Sequence, residues 1–153
     1  MREAVVTGGC ACGAVRFTVD QPLAAAGWCH CTRCQRRTGG NASAQARAQP
    51  DSFRISTGAT VVREWTPPSG GFVKAFCGVC GSHLYSRNPN DASHVAVRLG
   101  AIDGDPGVRP SFHQRVETAA AWQPLPDDGL PRFNGPAPQT TAPHPDPPGS
   151  AVG

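Results

Sequence analysis

The chain is 153 residues long, enough for one domain or one domain with a tail. Its 18 Gly and 16 Pro exclude a mainly helical bundle and favour short strands, turns and some disorder. Charged residues are 16% of the chain, the formal charge is +3, and no apolar run approaches the roughly 18 residues of a membrane span.

In chain order, residues 2–7 (REAVVT) and 13–19 (GAVRFTV) read as strands. In the second, Val15, Phe17 and Val19 alternate with Ala14, Arg16 and Thr18, a period of two. Residues 24–31 read as extended, and 32–38 (TRCQRRT) as a short helix that Gly39 and Gly40 end. Short strands are expected around 42–48, 53–56, 61–66 and 72–76, then a turn and a strand in FCGVCGSHLY (76–85). HVAVRLG (94–100) and SFHQRVE (111–117) complete a mainly β domain. From Pro124 to Gly153 there are nine prolines, and almost no aliphatic residue follows Leu130. The expected division is a folded domain over 1–134 and a disordered Pro-rich tail over 135–153. MREAVVTGGC shows no basic and apolar export signal, so a cytoplasmic location is expected.

Seven cysteines carry the chemistry: Cys10, Cys12, Cys29, Cys31, Cys34, Cys77 and Cys80. An odd count, tight C-x-C pairs and no export signal disfavour a disulfide framework. Clustered thiols from distant parts of a chain suit a metal, and sulfur-only ligand sets select zinc or iron–sulfur clusters. The spacing matches no ferredoxin run, so zinc is expected. Seven thiolates and two zinc ions would bring the net charge near zero. That removes charge as an argument for nucleic acid, and Lys74 is the only lysine.

Cys77-Gly78-Val79-Cys80-Gly81 has the form of a zinc knuckle: one tight turn aims two sulfurs at one ion. Cys10 and Cys12 supply a second pair, on one face if their segment is extended. Joining the two pairs through zinc would staple the start of the domain to its middle. Cys29, Cys31 and Cys34 offer three thiols within six residues, and three protein ligands leave one tetrahedral position open. A histidine could close it. His30 points away from its neighbours in an extended segment, whereas His83, His94 and His113 could approach. Spacing alone leaves open which four sulfurs share one ion.

GGCACGAVRF (8–17), CHCTRCQRRTGG (29–40) and FCGVCGSHLY (76–85), with a weaker stretch from Arg109 to Phe133, resemble the glutathione-dependent formaldehyde-activating enzyme family, also called the centromere protein V/GFA domain. The resemblance covers about residues 5–133. It implies a mainly antiparallel β-tent. It implies a structural zinc on Cys10, Cys12, Cys77 and Cys80, and a catalytic zinc on Cys29, Cys31 and Cys34, two per chain. It further implies a carbon–sulfur lyase-type activity, like that of S-hydroxymethylglutathione synthase, on adducts of a small thiol such as glutathione and an aldehyde such as formaldehyde. The alternative is a zinc-stabilised binding module without catalysis. Neither nucleic acid nor membrane is an expected partner, and oligomeric state is not legible.

Around the central cluster, Arg33, Arg36 and Arg37 are expected as a solvated helix face rather than a clamp for glutathione carboxylates. Gln35 and Thr38 could donate to sulfur or cap the turn. Trp28 and Trp122 are expected in the core, and His113 as a buried, satisfied histidine rather than a proton shuttle.

Overall fold

The computed structural model describes residues 4–138. Its strands are β1 (Val6–Gly9), β2 (Arg16–Val19), β3 (Ala26–Cys29), β4 (Ser43–Arg47), β5 (Phe53–Thr57), β6 (Val62–Trp65), β7 (Val73–Cys77), β8 (His83–Asn88), β9 (Asp91–Arg98), β10 (Pro110–Gln114) and β11 (Arg132–Phe133). One α-helix, α1 (Thr32–Thr38), and three single-turn 3-10 helices complete the described elements. No helix among them is long and apolar enough to cross a membrane.

The chain divides into two compact units. One holds residues 4–24 and 45–107 of the described chain, the other 25–44 and 108–138. In the first unit, β1, β2 and β5 form an antiparallel sheet in that order. The antiparallel ladder β9-β8-β7-β6 lies in the same unit, with Gln45–Arg47 of β4 paired to β9. Period-two patterning explains the core. Val15, Phe17 and Val19 are all buried, as their alternation predicts. Phe17 meets Phe53 at 5.3 Å between ring centroids, and Phe53 meets Tyr85 at 4.7 Å. Tyr85 is the cross-strand partner of both Ala75 and Val97, so small neighbours make room for its ring.

In the second unit, β3 pairs with β10 and β10 with β11, both in parallel. The ladder is therefore not wholly antiparallel. Parallel neighbours need long crossovers, which local sequence does not announce. The side chains buried in this unit are unusual. Ala26, Cys29, Cys34 and Val108 are joined by His30, Ser111 and His113. Phe112 lies over Gly27, where a Cβ would fall 2.3 Å from its ring, and meets Phe133 edge-on at 6.4 Å.

Helix α1 occupies the expected residues. Gly39 ends it in the left-handed conformation, φ 70°, and donates its N–H to the Gln35 carbonyl. Three expectations differ. Strand β10 stops at Gln114 because Arg115 turns left-handed, φ 57°, and a 3-10 turn follows. The two-residue β11 was not expected, since Pro131 and a run that short carry little strand signal. Trp122 is 67% exposed rather than in the core, and Trp28 is half-buried. The expected tail lies outside the described residues from 139 onward. At its expected start, the Gly135 carbonyl accepts from Arg115 N–H and Ala137 N–H donates to Gln114 Oε1.

Gly58 tests the packing of the first unit. Its φ is +78°, and a Cβ there would lie 1.9 Å from the Ala14 carbonyl oxygen. Gly58→Ala should lower stability by about 2 kcal/mol or more, read as a lower urea midpoint with an unchanged slope. Gly100→Ala, into open space, should leave the midpoint in place.

Candidate functional site

All seven cysteines are unbridged, and they gather into two groups, one in each unit. Cys10, Cys12, Cys77 and Cys80 form the first, with Sγ atoms all within 4.8 Å of one another. Cys10 follows β1 and opens a turn in which Gly13 N–H returns to the Cys10 carbonyl at 3.2 Å. The pair Cys10/Cys12 is thus brought together by a knuckle, not by the extended segment that the i, i+2 spacing suggested. Cys77 ends β7, and Gly81 N–H closes the second knuckle on its carbonyl at 2.8 Å. Ala11 N–H donates to Ser82 Oγ at 2.9 Å, tying one knuckle to the other.

The distances test the fit to a metal. Sγ of Cys10 and Cys12 are 3.6 Å apart, and Sγ of Cys12 and Cys77 are 3.8 Å apart. Tetrahedral zinc with Zn–S bonds of ~2.3 Å holds its sulfurs about 3.8 Å from each other. Backbone N–H groups also face the sulfurs: Val15 reaches Cys10 Sγ at 3.2 Å and Val79 reaches Cys77 Sγ at 3.4 Å. At Cys10 the Val15 donor favours thiolate over thiol. The Ser82 hydroxyl, 3.1 Å from Cys80 Sγ, holds that thiol down to about 5.

Cys29, Cys31 and Cys34 form the second group, also within 4.8 Å of one another. Two local rules assemble it. Cys29 and Cys31 share a face because the chain is extended at the end of β3. Cys31 is then the N-cap of α1, and its Sγ accepts from Cys34 N–H at 3.3 Å. The spacing C-x-x-C is therefore that of a cap residue and the third helical residue it bonds. The Cys31 thiolate, accepting hydrogen bonds from the Cys29 and Cys34 thiols, is held down to about 2. Contact with Cys31 raises Cys29, and contacts with Cys29 and then Cys31 push Cys34 far up. Without a cation the three sulfurs share one negative charge, and a divalent ion would let all three ionise. Each group could hold a metal ion, and the all-sulfur donor sets suit zinc.

No histidine, aspartate or glutamate joins the three thiols within the same reach, among the described residues. His30 faces away from them, as the alternation predicts, and is 3% exposed. Its Nε2 lies 2.8 Å from His113 Nδ1, and His113 Nε2 lies 2.8 Å from Asp128 Oδ2. His113 is thus buried and satisfied. Burial, then the charges of His113 and Arg132, lowers the His30 pKa. Gln35 Nε2 donates to the His30 and Thr118 carbonyls, and Thr38 Oγ1 to the Cys34 carbonyl, so both line the turn rather than bond sulfur. Arg36 is exposed, while Arg33 and Arg37 are half-buried. Sequence reasoning missed Asp128. Its partner His113 lies 15 residues away through an irregular loop, and no spacing rule links them.

Both clusters, with their glycine-bearing turns, fall within one family match. The family described as glutathione-dependent formaldehyde-activating enzyme matches residues 5–118. The chain belongs to that family. A solved structure of a Rhodobacter sphaeroides protein, a structural genomics target, aligns over 82% of this chain and 98% of its own. The TM-score is 0.55 and the identity 23%, a likeness of fold. No curated protein matches the chain.

The knuckle group generates a stability prediction. Cys80→Ser removes one of four donors, so the variant should lose bound metal and melt more than about 10 °C below wild type by circular dichroism. Equal melting temperatures would contradict a structural role for that residue.

Proposed function

We propose that this protein is a zinc-dependent carbon–sulfur lyase-type enzyme. In the synthetic direction it joins a small thiol, glutathione by family likeness, to an aldehyde such as formaldehyde. The observation that carries this reading is the difference in donor count between the two clusters. Four sulfurs, Cys10, Cys12, Cys77 and Cys80, would saturate one zinc ion and serve structure. Three, Cys29, Cys31 and Cys34, leave one position for a substrate.

Zinc, when bound, favours thiolate over thiol at a sulfur it takes, and thiolate is the nucleophile. The remaining work falls to the chain. Cys29 and Cys34 are buried and Cys31 half-buried, so substrate approaches from the Cys31 side of the trio. Three cysteine sulfurs already carry more negative charge than one dication cancels, which suits presentation of an electron-rich sulfur better than polarisation of a carbonyl. The reaction forms one S–C bond between the thiol sulfur and the aldehyde carbon. The proton leaving sulfur ends on the aldehyde oxygen, and the product is a hydroxyalkyl thioether. Holding both reactants together supplies much of the gain.

The test is NMR of labelled formaldehyde mixed with glutathione, with the spontaneous adduct as control. The holoprotein, carrying two zinc equivalents, should speed adduct exchange, and glutathione should perturb only the three-sulfur site. Cys31→Ser should return exchange to the spontaneous rate while the fold persists. A holoprotein with no effect on exchange, and no response to glutathione, would leave a zinc-stabilised binding module.

A further inference from the structure

His30 stands between two of the three central sulfurs, and each of its polar groups is held. Its N–H donates to the Gln114 carbonyl at 3.0 Å. Its carbonyl accepts from Gln35 Nε2 at 2.9 Å and from Thr118 Oγ1 at 3.2 Å. Its ring shares a proton with His113 at 2.8 Å, and the two rings lie 5.0 Å apart between centroids. The peptide that spaces Cys29 from Cys31 is thus fixed from both its backbone and its side chain.

The line continues to Asp128. A carboxylate only accepts, so Nε2 of His113 must donate to it, which settles the orientation of a ring that is 1% exposed. Asp128 is itself anchored. Its Oδ1 accepts from Leu130 N–H at 3.0 Å, and Arg132 donates to the Pro126 carbonyl at 2.8 Å. His113 N–H bonds the Pro131 carbonyl at 2.9 Å, and β11 pairs with β10 beside it. The family match ends at residue 118, so Asp128 and β11 lie beyond the matched segment.

We infer that Asp128 is a positioning residue for the three-sulfur centre: through His113 it locks His30, and through His30 the spacing of Cys29 and Cys31. Asp128 touches none of the sulfurs. It acts because a buried imidazole without its carboxylate would lose a hydrogen bond and its fixed orientation. A three-thiolate centre depends on that order more than a four-thiolate one, since it has one fewer protein bond to hold its ion in place. The inference rests on reading Cys29, Cys31 and Cys34 as a metal centre.

The experiment uses the full chain loaded with zinc and challenged with a chelator, with release followed by a zinc-sensitive dye. Cobalt-loaded protein reports the same sites through sulfur-to-metal absorption bands. Asp128 is partly exposed, at 30% for its side chain, so Asp128→Ala should fold. The expected result is that Asp128→Ala gives up one zinc equivalent about tenfold or more readily than wild type, while the four-sulfur equivalent is retained as before. Asp128→Asn, whose amide oxygen can still accept from His113, should recover much of the difference. Equal release by Asp128→Ala and wild type would overturn the inference. So would equal loss from both sites, or an Asp128→Asn variant no better than Asp128→Ala, since each marks a general loosening. A wild-type chain that never takes up a second equivalent would bring down the metal reading and the inference together.

Discussion

The structure crowds thiols that cannot all ionise without a cation. In each unit the sulfurs come close enough that charge on one raises its neighbours. Cys31 at about 2 beside a strongly raised Cys34 is the clearest case. A divalent ion would turn that mutual cost into cohesion, because every thiolate would then bind one centre instead of repelling the next. For units of this size, with short strands and few large buried side chains, a bound ion would take over part of the work of a core.

The two units hold their sulfurs differently. The first buries an aliphatic and aromatic core from Val15, Phe17, Val19, Tyr85 and Val97, and its four sulfurs sit in knuckles that follow β1 and β7. Their sulfurs come from two closed turns, each sealed by a backbone bond and tied to the other through Ser82. In the second unit the buried residues are largely cysteine, histidine and serine. Order there comes from hydrogen bonds rather than apolar area, and hydrogen bonds are directional. That suits a site whose three sulfurs must keep their geometry.

Local rules carried most of the elements. The period of two in 15–19, the Gly39 stop after α1 and the C-x-x-C knuckle each act over a few residues, and each appears where the sequence places it. Local rules also misled. Alternation argued for an extended Cys10/Cys12 pair, but a turn closed by Gly13 aims both thiols as well. Aromatic size argued for a buried Trp122, yet an irregular loop holds it outside. The parallel pairing of β3 with β10 joins residues more than 80 positions apart and leaves no local trace.

By itself, the sequence determined the donor chemistry: seven thiols, their spacing, and the turns and cap that bring neighbours together, because each of those relations spans no more than four residues. Tertiary structure alone decided which distant pairs meet, as Cys12 and Cys77 do across 65 residues. It also turned His30 toward His113 and Asp128, away from the sulfurs it sits between. Contacts of that kind are fixed by how strands pair and where loops return, and pairing is a property of the folded chain that no short window of residues contains.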